Sequence, residues 1–194
     1  MPADDDRLAF RFDCGATWLN LLATRGRSFS PEPVERIATP ERLADWFARS
    51  ELAPERPVGA GDLAQAWQLR ETLRRLALAT VAQQPPPAEA VDALGAFLAA
   101  HDDPIRLAAD ARLRRGAPPT AAAALARIAR QAVDQLTGPE RHALKACPEH
   151  DCRGVFSDPA DRRRWCPSPA CASRGRVRAL RARRAAAQQE AQPD

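Results

Sequence analysis

Lysine occurs once in this 194-residue chain, methionine once and tyrosine not at all. The single Lys145 stands against 28 arginines in a background heavy in alanine and proline. Arginine abundance by itself therefore reads as compositional bias, and only its clustering carries information. Aromatic residues make up 5% of the chain, and the basic region has too few to build the stacking platforms that single strands usually need. No apolar run approaches the roughly 20 residues that cross a bilayer, so no membrane association is expected. The opening MPADDDRLAF is acidic and lacks both a basic n-region and a following apolar h-region, so a secretory signal is not expected. Catalytic signatures are missing too. There is no HExxH, no GxxxxGK[ST], no GxGxxG after a strand and no HxE…PCxxC, and His101, His142 and His150 are scattered. The expectation is a non-enzymatic cytoplasmic protein whose thiols stay reduced, associated with the nucleoid if it binds DNA.

Cysteine is also scarce, yet four of the five cysteines crowd into 25 residues, CPEHDCRGVFSDPADRRRWCPSPAC. Cys147-x4-Cys152-x13-Cys166-x4-Cys171 is two pairs at the long end of the spacing that structural zinc sites use, each with a proline after its first member. A reducing compartment disfavours two disulfides, and the paired spacing disfavours four unrelated thiols. One zinc ion held by Cys147, Cys152, Cys166 and Cys171 is the reading. Four thiolates leave no open coordination position, so the ion is structural. It would stabilise a segment too short to fold on its own apolar surface, with Val155, Phe156 and Trp165 as a miniature core. His150 lies inside the first pair but is surplus to a complete tetrahedron. The fifth cysteine, Cys14, reads as a small buried hydrophobe.

Counting Lys and Arg against Asp and Glu leaves −2 for residues 1–140, +8 for 141–187 and −2 for 188–194. The basic charge belongs to the cysteine-bearing end. Arg162, Arg163 and Arg164 precede the third cysteine, while Arg174, Arg176, Arg178, Arg181, Arg183 and Arg184 follow the fourth. No acidic residue interrupts that interval. If 173–187 is helical, Ser173 caps it, Arg174, Arg178 and Arg181 line one face, and Val177 and Leu180 turn to the zinc loop. Such a helix suits a phosphate backbone or a major groove. Two other readings compete: the arginines offset the −2 of a four-thiolate zinc centre, or they form a solvated face inflated by composition.

The preceding residues read as mainly helical. Trp18, Leu21 and Leu22 take helical spacing in 13–25, and Thr39-Pro40 starts a helix carrying Leu43, Trp46 and Phe47. The segment between them reads as loop. A long helix from Gly61-Asp62 to about 84 carries Leu63, Trp67, Leu73, Leu76 and Val81 on its stripe, with Arg70, Arg74 and Arg75 largely off it. Pro85-Pro86-Pro87 stops it, and another helix spans 88–100. PIRLAADARLRRG suggests a short hairpin around an Ala109-Asp110-Ala111 turn. A helix from Pro118-Pro119-Thr120 to about 136 and one further turn then lead into Cys147. The three tryptophans on the apolar stripes read as core filling.

RRRWCPSPACASRGRVRALRARR resembles the CGNR zinc finger, with paired C-x4-C ligands, a Trp before the third cysteine and a basic helix after the fourth. LARIARQAVDQLTGPERHALKAC, CGATWLNLLATRG and ATPERLADWFARSEL are similar to the ABATE-type domain of stress-induced transcription regulators, with Asn20 in the place of a recurrent Asn. The resemblance implies a DNA-binding regulator with the four cysteines as ligands and Arg174 as the signature Arg. Where that family reads Cys-Gly-Asn-Arg, this chain has Cys171-Ala172-Ser173-Arg174, which removes a glycine free to take positive φ and an amide able to cap or read a base.

The expected architecture is mainly α. A helical ABATE-like domain with one short β-hairpin spans 1–136, a four-cysteine zinc finger with a basic helix spans 137–187, and a disordered tail spans 188–194. The expected function is a zinc-finger DNA-binding transcription regulator that holds duplex DNA, whose helical domain senses a small-molecule or protein signal or mediates assembly. The alternative is a zinc-structured protein-interaction module without direct DNA binding. No heptad marks an oligomer.

Overall fold

The computed structural model describes residues 7–109 and 112–190. Its described elements run α1 (Thr17–Leu22), β1 (Arg25–Gly26), β2 (Val34–Glu35), α2 (Pro40–Arg49), α3 (Ala60–Val81), α4 (Ala88–Ala100), β3 (Leu107–Ala109), β4 (Leu113–Arg115), α5 (Ala121–Thr137), a 3-10 turn (Pro139–Ala143), β5 (Leu144–Ala146), β6 (Val155–Ser157) and α6 (Pro169–Glu190). The mainly α reading holds. Each two-stranded ladder is antiparallel: β1 with β2, β3 with β4, and β5 with β6.

The helix starts are local chemistry. Thr39 Oγ1 accepts from the backbone N–H of Arg42 at 3.3 Å with Pro40 behind it, and Thr120 Oγ1 accepts from that of Ala123 at 3.1 Å. Asp62 Oδ2 accepts from the N–H of Gly59 at 2.8 Å, closing the first turn of α3. Helix α1 is shorter than its periodicity predicts, and residues 18–22 are all buried. A six-residue helix inside a core must satisfy its terminal groups with side chains. Thr24 Oγ1 donates to Leu21 O at 2.7 Å, Arg74 Nη2 to Leu22 O at 2.9 Å and Arg36 Nη1 to Ala23 O at 3.0 Å. At its other end Gln131 Oε1 accepts from the Trp18 N–H at 3.2 Å, and Gln135 Oε1 accepts from Trp18 Nε1 at 2.7 Å.

That arrangement corrects the sequence reading of α3. Arg70 and Arg74 are 2% and 4% exposed, within its buried face; Arg75 alone faces out, paired with Glu89. Arg70 forms a two-pronged ion pair with Glu35 on β2 (2.8 and 2.6 Å) and donates to Thr24 Oγ1 at 2.9 Å. Burial pushes the Glu71 carboxyl up, but Arg74, Arg70 and Arg25 outweigh it and hold it below the ordinary range. The segment read as loop between α1 and α2 thus contains the β1–β2 ladder, pinned from α3.

The hairpin β3–β4 is present, with both strands exposed. Its expected turn at Asp110 and Ala111 lies outside the described residues. Asp103 holds its base, accepting from Arg115 Nη2 at 2.5 Å and from Arg127 at 3.0 Å on each oxygen. Of the expected tail, 191–194 lies outside the described residues, as does the 1–6 opening, and 188–190 continue α6. No helix among the described residues is long and apolar enough to cross a membrane.

Candidate metal centre and basic helix

Strands β5 and β6 form the stem of the first cysteine loop, with Leu144, Lys145 and Ala146 opposite Ser157, Phe156 and Val155. At the tip Cys147 N–H donates to Gly154 O at 2.9 Å, while Cys152 and Arg153 N–H both donate to Glu149 O. Arg153 takes φ 43° to complete the turn. This geometry brings Cys147 and Cys152 to one side. The second pair is carried differently: Cys166 lies just before α6, and Cys171 sits inside the first turn of that helix, its N–H donating to Ser168 O.

All four sulfurs lie within 4.8 Å of one another, and Cys152 Sγ is 3.8 Å from Cys166 Sγ. A tetrahedral zinc with Zn–S near 2.3 Å requires sulfur separations of about 3.8 Å, whereas a disulfide brings sulfurs to about 2.05 Å. The cysteines are free and their donor set fits zinc. Crowding splits their acidities: the Cys147 thiol is held below the ordinary range, first by a hydrogen bond from Cys152, and the Cys166 thiol is pushed above it, first by Cys147. Such a cluster holds negative charge poorly unless a cation shares it. His150 is exposed, outside the ligand set.

Among the described residues, the finger's own buried cluster is its cysteines with Trp165, and its other apolar side chains belong elsewhere. Val155 and Phe156, expected to be its miniature core, are buried in the main hydrophobic core with α1, α3 and α5, and only Trp165 packs against the cysteine cluster. The reason is Gly15. Its φ of 99° and missing side chain let β6 approach until a Cβ would lie 2.8 Å from that of Ser157, and Cys14 O accepts from Ser157 N–H at 2.9 Å. Cys14 is buried as expected, its thiol pushed up to about 12 by burial and then by Asp13. Asn20, also buried, accepts from the Cys14 N–H at 3.1 Å through Oδ1. A second seam joins the first cysteine loop to the β1–β2 connection: Phe29 N–H donates to Asp151 O at 3.1 Å, and Arg27 pairs with Asp151 at 3.4 Å.

The nine arginines divide. Arg174 pairs with Asp151 at 3.2 Å and lies 3.6 Å from both Glu149 and Cys171 Sγ, and Arg178 makes a short bond to Glu149. Glu149, 3% exposed, thereby ties the first cysteine loop to α6. Composition-led reading missed it, although it is one of four acids in the basic segment and so a marked partner for α6. Lys145 takes up two others, Asp158 at 2.8 Å and Asp161, fixing the loop before the third cysteine. Cys171, Arg174, Gly175 and Arg178 form the inner face of α6, where a Cβ on Gly175 would lie 2.3 Å from Trp165 Nε1. Val177 and Leu180 are 46% and 42% exposed, which reverses their expected orientation. The helix starts at Pro169, so Ser173 lies inside it and caps nothing. Ala172 lies inside it too, and the feared loss of positive φ has no consequence. Arg162, Arg163, Arg164, Arg176, Arg181, Arg183 and Arg184 are exposed. None of these seven guanidinium groups has a carboxylate partner among the described residues, though the Arg163 backbone N–H donates to Asp158 Oδ2 at 2.7 Å, its side chain donates to Asp13 O at 3.4 Å and Arg164 lies 5.2 Å over the Trp165 ring.

Comparison with known families agrees with this construction. Residues 15–139 match the ABATE family, described as "Putative stress-induced transcription regulator", and residues 143–184 match the CGNR zinc finger. The chain belongs to the ABATE family and ends in a CGNR zinc finger whose four cysteines form the zinc site. Neither family is described as an enzyme. No curated protein matches the chain.

Proposed function

We propose that this protein is a cytoplasmic transcription regulator that holds duplex DNA through the outward arginines of its finger and of α6, associating with the nucleoid when bound. One observation carries the reading: seven of the nine arginines between 162 and 184 are exposed, with guanidinium groups unmatched by carboxylates among the described residues. Arg174 and Arg178 brace the helix instead of reaching out. Zinc, held by the four thiolates, supplies rigidity and no open coordination site. The 22 residues of α6 extend about 33 Å at 1.5 Å per residue, and a major groove admits a helix. Arginine serves there as a two-pronged donor to phosphate or guanine.

The test is fluorescence anisotropy of a labelled duplex with the full zinc-loaded chain, between 50 and 200 mM salt. If about five arginines neutralise phosphates, log K falls against log[salt] with a slope near −4.5. Absence of binding at 50 mM, or a flat plot, overturns the proposal. The whole chain is required because Val155 and Phe156 belong to the main core. A second reading, a protein-interaction module, is favoured by the exposed Val177 and Leu180 between the arginines. Under it, Val177→Ser with Leu180→Ser abolishes partner capture while Arg176→Gln with Arg183→Gln leaves it intact.

A further inference from the structure

A cavity of about 410 Å³ lies in the seam between the helical unit and the finger, within the size range of small-molecule sites. Among the described residues, Asp13 is the sole acidic one in its lining, against seven arginines. Four of the seven are answered from behind the wall: Arg25 and Arg74 by Glu71, Arg27 by Asp151, and Arg174 by Asp151 and Glu149. Arg7, Arg11 and Arg36 have no carboxylate within ion-pair distance among the described residues. Arg36 is 8% exposed, and the Nε atoms of Arg11 and Arg36, like those of Arg27 and Arg174, are buried without a hydrogen-bond partner among the described residues, but Arg11 and Arg36 lack an ion pair as well. A buried guanidinium donor left unmade costs free energy comparable to a lost charged hydrogen bond. Burial and then the neighbouring Arg11 both disfavour the Arg36 charge. The backbone is nonetheless shaped around it: a Cβ at Gly26 would lie 2.4 Å from Arg36 Nη1, which is braced on Ala23 O.

We propose that this cavity is an effector site for a small polyanion, a phosphate- or dicarboxylate-bearing metabolite, gripped between Arg11 and Arg36. Its lining also takes in residues 167–170, which join Cys166 to Cys171 and include the start of α6, together with Cys152, Cys166 and Cys171 themselves. Occupancy therefore bears on the finger directly, and this is the sensing role of the helical unit. The site stands whether or not the finger holds DNA. Cys14, also in the wall, keeps its proton and contributes no charge. The rival for these two cations is the thiolate charge of the zinc centre.

Isothermal titration calorimetry of the full zinc-loaded chain without DNA, at constant ionic strength, tests the site with inorganic phosphate and with succinate. One saturable site per chain, with Kd below about 1 mM for at least one probe, is expected. Which probe binds separates the two sources of anion. Arg11→Gln should weaken that binding at least tenfold and leave the ligand-free melting temperature unchanged. Arg36→Lys, which keeps the charge and loses the planar fork, should weaken it as well. Arg176→Gln with Arg183→Gln should change nothing. No saturable heat with either probe overturns the proposal. So does binding that survives both cavity variants but is lost with the α6 pair. Faster zinc loss to a chelator in Arg11→Gln, without anion binding in the parent protein, assigns the cations to the thiolates and overturns it too.

Discussion

Removing zinc should destabilise the helical unit as well as the finger. The perturbation is chelation, or Cys147→Ser where chelation is incomplete. Without the ion the first cysteine loop loses its closure, and its stem is β5–β6, so Val155 and Phe156 are released from the main core where they are 3% and 0% exposed. Burying one such side chain contributes about 1.5–3 kcal/mol, so the pair accounts for about 3–6 kcal/mol. That is a large share of the about 5–15 kcal/mol that holds a typical domain. At about 2–4 °C per kcal/mol for a chain of this size, melting should fall by about 6–24 °C. It should remain a single transition, since the same core serves both parts. Differential scanning calorimetry of zinc-loaded and zinc-stripped protein, with helical signal followed by circular dichroism, reads both quantities. Phe156→Ala in the zinc-loaded protein isolates the route, at a cost of about 3–5 kcal/mol. If the stripped protein melts within 2 °C of the parent while its finger is unfolded, the two parts do not share a core in the way described.

Arg70→Met should cost about 3 kcal/mol in urea unfolding with an unchanged m-value, the low end for a broken buried pair because Glu35 is 30% exposed and can rehydrate. Stability should also fall in acid. Glu71 and Asp103 are both held below the ordinary carboxylate range, because neighbouring arginines outweigh the effect of burial. Their contribution is complete above about pH 5, clear of the unfolded-state values, and is lost as pH falls through the folded values. A melting temperature that stays flat down to pH 2 would contradict those pairings. Gly175→Ala places a methyl 2.3 Å from Trp165 Nε1, and should lower stability by about 1–3 kcal/mol and shift tryptophan emission as α6 is pushed off the finger.

What the sequence made legible was what sequence separation keeps local. Cysteine spacing announces a knuckle because both ligands of a pair come from one short loop. Thr39 and Thr120 announce helix starts because a cap needs only its own next turn. Arg70 failed for the opposite reason. Ala66, Arg70, Leu73 and Ala77 share one face of α3, so periodicity itself places Arg70 inward, but a charge is read as outward until a buried partner is known. That partner, Glu35, lies 35 positions away in a segment that reads as loop. Val155 and Phe156 were misassigned similarly: their burial is plain from composition, and what they bury against depends on Gly15. The seam cavity draws on Arg11, Arg36 and residues 167–170, positions that no local pattern joins.

The structure bears on the choice among the three readings of the arginine run. Offsetting the zinc centre uses Arg174, which lies beside Cys171 Sγ, and the remaining eight show no contact to sulfur among the described residues. A solvated helix face is usually laced with acids at i+3 or i+4, as Arg42 with Asp45 illustrates in this same chain. Nothing of the kind follows Arg174 through Arg184, where no acid occurs. Compositional bias acts on the whole chain, yet residues 1–140 balance their arginines to a net −2 while 141–187 leave +8. Unpaired like charges on one helix repel, and that cost is offset when a polyanion lies against them. The arrangement is therefore costly for an isolated protein and favourable for one that meets phosphates, which is why the salt slope is the measurement that separates these readings.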